Sequence, residues 1–343
     1  MIQDALEKLL SDEWDEFGEQ DAREVAAQIM NGDATDVQIG AFLVALRLRG
    51  ERLEHIKGFV QVMREKMQKI GPLRDEVVVD TCGTGGDVMG TFNISTAAAL
   101  IAAAAGVKVA KHGNRSVSSK CGSADVLEAL GVKIDMPPAR TEQCLREVGI
   151  CFLFAPVYHP AMKHAVKARR ELGVRTIFNL IGPLSNPANA SHQVIGTPDP
   201  RWLEVFAQVL QEMGSRRALI VSAEDGLDEI TTTTITQAVE LTADGQIRTL
   251  TIDPADFDVP YTELDALVGG DATRNAEILT DILSGREGPP LDIACLNAGA
   301  ALYVAGSPSL EQGYLVAREA VKSGAAMDKL DALRAFTARA QDL

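Results

Sequence analysis

"EVVVDTCGTGGDVMGTFNISTAAALIAAAAG", residues 76–106, is the stretch that decides the fold. A β-branched run enters a loop, and an alanine-rich run with a helical pattern leaves it. From Asp80 to Thr96 the loop holds four glycines and four threonines. Glycine is costly to order, so the backbone here must come close to something that side chains would block. At a strand-to-helix junction, exposed N–H groups and the positive end of the helix dipole can receive an anion. Gly83, Gly85 and Gly86 would allow the approach, and Thr84, Thr91, Asn93, Ser95 and Thr96 could donate hydrogen bonds. No G-K-[ST] follows, so this is not a Walker loop. The dinucleotide pattern G-x-G-x-x-G is incomplete, and Asp87 would repel a pyrophosphate. Taken alone, the loop could also be a glycine-rich tight turn.

Outward from this loop the texture differs on its two sides. Residues 1 to about 70 read as helices only: "DAREVAAQIMNG", "TDVQIGAFLVALRLRG" from a Thr35 cap, and "RLEHIKGFVQVMREKMQKIG". The middle one is apolar on most of its surface (Ile39, Phe42, Leu43, Val44, Leu46, Leu48), so it is expected to be buried on several sides and to face a second subunit. Beyond Pro72, the strand candidates "EVVVD", "VKVAK", "ICFLFAP", "HQVIGTP" and "RALIVSAEDG" alternate with helical stretches. That alternation predicts a largely parallel sheet covered on both faces, with ligands beyond the carboxyl ends of the strands.

The net charge of −15 and an apolar share of 46% describe a globular protein and argue against a nucleic-acid or membrane-surface binder. The five cysteines form no C-x-x-C pair and the five histidines complete no zinc pattern, so reduced thiols are expected. The N-terminus is too acidic for a signal peptide, and the longest apolar run is about half a membrane span; a cytoplasmic protein is expected.

An acidic protein binds anions only by concentrating positive charge locally. Between Asp87 and Asp125 no acidic residue occurs, while Lys108, Lys111, Arg115 and Lys120 do. Ser116, Ser118, Ser119 and Ser123 add short donors suited to phosphate oxygens. A solvated basic loop would look the same in isolation. In "EDGLDEITTTT", Asp228 and Glu229 are adjacent in a turn near Glu224 and Asp225. Hard oxygens in such a loop suit magnesium, though most acidic loops are simply solvated. In "APVYHPAMKHAVKARRELG", an arginine such as Arg169 facing a pocket could pair with a carboxylate. The nearby His159 and His164 suit surface or capping roles better than catalysis.

Taken in order, "DTCGTGGD", "NIST", "KHGNRSVSSKCGSADVLEALG", "FNLIGPLSNPA" and "DGLDEITTTT" resemble the anthranilate phosphoribosyltransferase family over nearly the whole chain. Met162 stands where some relatives carry an aromatic residue. The resemblance implies a small helical domain at 1–72 that carries a homodimer interface. A larger α/β domain at 73–343 would follow, with helices near 160–180 packing back on the first. The substrates would bind in the cleft between the two.

The implied reaction transfers the phosphoribosyl group of 5-phosphoribosyl 1-pyrophosphate (PRPP) to the amine of anthranilate, the second step of tryptophan synthesis from chorismate. The donor residues implied are Gly83, Gly86, Asp87, Thr91, Asn93, Ile94, Ser95, Thr96, Lys111, His112, Gly113, Asn114, Arg115, Ser116, Val117, Ser118, Ser119 and Ser123. Gly83, Asn114 and Arg169 are implied for anthranilate, and Ser95, Asp228 and Glu229 for Mg2+. No general base is implied. Two rivals stand beside this reading: a pyrimidine nucleoside phosphorylase, which the Asp228–Glu229 pair disfavours, and a degenerate nucleic-acid binder, which the charge disfavours.

Overall fold

The computed structural model describes residues 1–12, 14–71, 76–86, 89–116 and 120–339. Its contacts divide the chain into one unit of residues 1–69 with 156–187 and another of residues 70–155 with 188–343.

The first unit is helical: Ile2–Leu10, Glu19–Asn31, Asp36–Arg49 and Leu53–Lys66, joined by Lys163–Leu172 and Ile177–Ile181. The Thr35 cap forms as expected. Its hydroxyl accepts from the Gln38 amide at 3.3 Å, while Gln38 Oε1 accepts from the Thr35 amide at 2.9 Å. Gly32, at φ 85°, closes the preceding helix in the left-handed region. Helices 19–31 and 53–66 approach closely because Gly58 has no Cβ; one there would lie 2.6 Å from the Glu19 carbonyl oxygen. The core is an aromatic chain in which Phe42 packs on Phe17 and on Phe59 at centroid distances of 5.8 and 6.1 Å. Phe42, expected beside a subunit interface, is thus fully inside its own unit. The apolar residues of that helix left outside are Val37, Val44 and Leu48, with Ala41 between them.

The second unit carries a seven-stranded sheet: β1 (Val78–Gly83), β2 (Lys108–Gly113), β3 (Ile150–Phe154), β4 (His192–Gly196), β5 (Arg217–Ala223), β6 (Thr236–Leu241) and β7 (Ile247–Ile252). The order is β3-β2-β1-β4-β5-β6-β7, parallel through β5 and antiparallel at β6 and β7. All five expected strands are therefore present in a mostly parallel sheet. The chain winds outward from β1 to β3, then resumes on the other side at β4, so the strand order reverses between β1 and β4. A crevice opens at the carboxyl ends of strands at such a switch point. Helix Ile94–Ala104 rises from the loop after β1 and is buried along almost all its length. Among the described residues, no single helix is long and apolar enough to cross a membrane.

Candidate functional site

The switch point is built on a pair of glycines. Gly83 ends β1 and Gly196 ends β4, directly opposite each other in the ladder. A Cβ on Gly83 would collide with Asp228 Oδ2, and one on Gly196 would collide with the Asp228 backbone oxygen. The turn carrying Asp228 and Glu229 therefore lies directly across the two strand ends, and it is this turn that presses on the backbone there. Gly85, Gly86 and Gly90 lie beyond, at φ 64°, 84° and 68°, where other residues are strained.

Both carboxylates of the turn reach back to the glycine loop and its helix. Asp228 Oδ2 accepts from the Gly85 amide at 2.8 Å. Glu229 Oε1 accepts from the Ser95 amide at 3.1 Å, in the first turn of helix Ile94–Ala104, where the helix dipole favours negative charge. The neighbouring Asp225 holds the turn together. Its carboxylate takes the Leu227 amide at 3.0 Å, the Thr231 hydroxyl at 2.8 Å and the Thr233 hydroxyl. Two of the four threonines thus close the turn around Asp225.

Lys111 lies underneath. It is 3% exposed, and its Nζ donates to the Thr81 carbonyl at 2.5 Å and to Ser95 Oγ at 3.1 Å. Burial pulls its pKa below the ordinary lysine value, against the opposing pull of Asp80. Asp80 is fully buried and accepts from the His112 amide at 3.0 Å, fixing β2 against β1 at the floor of the site. His112 and Thr96 are buried as well.

The loop after β2 is less positive than its sequence promised. Arg115 pairs with Asp125 at 3.0 Å and with Glu128 at 2.9 Å, on the helix that follows, and these bonds raise its pKa. Lys108 pairs with Glu76 at the opposite end of β2. The acid-free window ends at Asp125 in the sequence, but folding returns Asp125 and Glu128 to it. The Ser116 and Gly122 amides also donate to Asp125, at 3.1 and 2.8 Å. Ser123 Oγ donates to the Asn114 carbonyl at 3.3 Å, and a Cβ on Gly113 would collide with Ser123 Oγ.

The two loops are tied together by amide side chains. Asn93 Nδ2 donates to the Cys121 carbonyl at 3.1 Å, and Asn275 Nδ2 donates to Asn93 Oδ1 at 2.9 Å. Thr91 bridges to Val268, and Ile94 is buried. Asn275, Gly196 and Asn297 were not anticipated from the sequence. The signal for Asn297 was a lone amide in the apolar run "DIACLNAGAALYVAG". Asp87, Val117, Ser118 and Ser119 lie outside the described residues.

A small cavity beside the carboxylate turn is lined by Thr81, Cys82, Ser95, Ala98, Val194, Gly196, Glu229 and Asn297. Among the described residues no group of three or more His, Cys, Asp or Glu side chains converges on a metal position. A pair of carboxylates with a serine hydroxyl suits a hard cation that takes its remaining oxygens from water and a phosphorylated substrate.

Arg169 belongs to the helical unit. Its guanidinium stands 5.2 Å over the Phe178 ring, and burial lowers its pKa. His159 in the same unit is buried, which lowers its pKa to about 4, so it is neutral at pH 7.

Comparison with known proteins assigns the class. The family described as "Glycosyl transferase family, helical bundle domain" matches residues 3–67, and "Glycosyl transferase family, a/b domain" matches residues 75–327. The chain is 52% identical to an anthranilate phosphoribosyltransferase of Brevibacillus brevis, over 91% of this chain and 92% of that one. It is 50% identical to one of Alkaliphilus metalliredigens, over 97% of each. The fold matches the crystal structure of the Thermus thermophilus enzyme with a TM-score of 0.88 at 43% identity, covering 98% and 99% of the two chains. It matches the Saccharomyces cerevisiae enzyme in complex with PRPP and Mg with a TM-score of 0.89 at 25% identity, covering 98% of each. The chain belongs to the anthranilate phosphoribosyltransferase family.

Proposed function

We propose that this chain transfers the 5-phosphoribosyl group of PRPP to the amine of anthranilate, releasing pyrophosphate. The observation that carries the reading is the meeting of glycine loop, helix N-terminus and paired carboxylates at the sheet's switch point. The donor residues are Gly83, Gly86, Asp87, Thr91 and Asn93 to Thr96, together with Lys111 to Ser119 and Ser123. Lys111 and the backbone amides of Gly85 and Ser95 supply positive field where the diphosphate gains charge. As the C1–O bond breaks, its electron pair leaves with pyrophosphate, and the anthranilate nitrogen's lone pair forms the C1–N bond. An aromatic amine is already neutral at pH 7, so its proton leaves after attack and no general base is assigned. Asp228, Glu229 and Ser95 would hold Mg2+, which when bound neutralises the departing diphosphate.

The acceptor residues are Gly83, Asn114 and Arg169, the guanidinium suiting the anthranilate carboxylate. The enzyme is cytoplasmic and homodimeric, paired through the helical domain (1–72) by the exposed Val37, Ala41, Val44 and Leu48. The nucleoside phosphorylase alternative is not favoured, because the relatives at about half identity over nearly the whole chain are anthranilate phosphoribosyltransferases. Anthranilate fluorescence tests the reading. It should decay when PRPP and Mg2+ are added together and persist when either is omitted; decay of uridine or thymidine with phosphate instead would overturn it.

A further inference from the structure

Asn297 stands in the middle of helix Pro289–Ala305, in a stretch otherwise made of buried apolar and small residues. It is 3% exposed. A buried amide is costly unless its donors and acceptor are used, and here they are used on Ile230 and Ile293. Asn297 Oδ1 accepts from the Ile230 amide at 2.9 Å, and Nδ2 donates to the Ile230 carbonyl at 2.8 Å. A second bond from Nδ2 runs to the Ile293 carbonyl at 2.9 Å, one helical turn back, and fixes the rotamer. The side chain thus pairs with Ile230 as a neighbouring strand would. Both peptide planes flanking Ile230 are held, and one of them is the Glu229–Ile230 peptide.

We propose that Asn297 is a positioning residue for the paired carboxylates. By gripping Ile230 from a core helix, it sets the direction in which Glu229, and through it Asp228, leaves the turn. Asp225 secures the turn through Leu227, Thr231 and Thr233, whereas Asn297 is the anchor next to Glu229 itself. Asn297 and Glu229 also share the walls of the same small cavity, together with Ser95. Groups that orient ligands without touching the ion commonly tune its affinity. The inference rests on the metal-dependent reading given above.

Calorimetric titration of Mg2+, with and without saturating PRPP, separates the two. The parent protein is expected to bind the ion more tightly when PRPP is present. In Asn297→Leu, affinity for Mg2+ in the PRPP-loaded protein should fall by about 10- to 100-fold, while metal-free PRPP binding is not weakened. Hydrogen exchange at the Ile230 amide should be fast in the variant and slow in the parent. If Asn297→Leu does not fold, Asn297→Ser, too short to reach Ile230, is read in the same way. A lowered Tm with parent-like metal affinity would make Asn297 merely structural and overturn the proposal alone. Loss of the PRPP effect in the parent itself would overturn the metal reading together with it.

Discussion

The Gly85 amide donates a hydrogen bond of 2.8 Å to Asp228 Oδ2, so the glycine loop holds a carboxylate where its backbone is shaped to hold an anion. Glu229 does the same at the Ser95 amide. In the proposed reading the two carboxylates compete with the diphosphate for these donors, and a cation that draws them off would free the amides. Coupling of this kind is reciprocal: whatever the cation adds to diphosphate affinity, diphosphate adds to cation affinity. Asp228→Asn and Glu229→Gln should keep the fold, lose about 10²–10³-fold in turnover, and bind PRPP better than the parent when no metal is present. The last point distinguishes this account from simple loss of a ligand. Metal-free PRPP affinity that is unchanged or weaker in both variants would refute the competition.

Lys111 and Arg115 belong to one basic loop by sequence, but the fold separates their roles. Lys111 is buried and directed at Ser95, while Arg115 is exposed and shared with Asp125 and Glu128. Salt screens exposed charges far more than buried ones. Lys111→Met should weaken PRPP binding by about 1.5–3 kcal/mol at any ionic strength. Arg115→Ala should cost under about 1 kcal/mol, and less as salt rises. PRPP affinity measured across a salt series decides this; equal, salt-sensitive losses in both would restore the single basic loop.

The parallel sheet was legible because each of its five strands holds a short apolar or β-branched stretch, and these alternate with helical patterns. β6 and β7 were missed although Asp244-Gly245 marks their hairpin, because half the residues of Thr236–Leu241 and of Ile247–Ile252 are polar and break up the apolar pattern. The glycine loop and the carboxylate turn stood out by residue type, but each alone could equally be a tight turn or a solvated loop, and only the fold brings them together. Partners did not stand out. Nothing local in "RSVSSKCGSAD" says that Asp125 will turn back on Arg115, and nothing near Asn297 names Ile230, 67 positions away. The Phe42 segment shows the same limit: overall hydrophobicity placed that helix in contact on several sides, but only the fold says which residues stay outside.

Arg169 is the residue proposed for the acceptor side. With its guanidinium over Phe178, it is held in an orientation that a lysine could not reproduce. Arg169→Ala should raise KM for anthranilate by an amount equivalent to about 1.5–3 kcal/mol and leave PRPP binding intact. Calorimetry with PRPP and steady-state kinetics with anthranilate make the comparison. A loss confined to PRPP would place Arg169 elsewhere in the mechanism.

The outward stripe on helix Asp36–Arg49 gives a prediction about assembly. Val37 is 81% and Leu48 82% exposed, with Ala41 and Val44 between them at helical spacing. Burying Leu48 against a second copy would contribute on the order of 1.5–3 kcal/mol per side. A glutamate there would face the partner's apolar stripe instead. Leu48→Glu should therefore sediment as a monomer at concentrations where the parent is a dimer. A parent that sediments as a monomer, or a variant that stays dimeric, would exclude this helix as the interface.

His159 predicts how stability depends on pH. Burial lowers its pKa from the ordinary 6.5 to about 4, so the folded protein holds it neutral over a range in which the unfolded chain protonates it. Stability rises with pH wherever the unfolded state binds more protons. The contribution of His159 is thus fully favourable above 6.5, declines as pH drops from 6.5 towards 4, and is level below that. The full decline is about 3 kcal/mol. His192 behaves alike, lowered to about 4 by burial and by the charges of Arg216 and Arg217, so part of the acid slope remains when His159 is replaced. Carboxylates add their own dependence, which a difference between parent and variant removes. His159→Gln, whatever its effect at pH 7, should lose less stability than the parent between pH 7 and 4.5, by up to about 2–3 kcal/mol. Urea unfolding at the two pH values supplies the four numbers. If parent and variant lose equal stability, the imidazole is not held neutral in the folded protein.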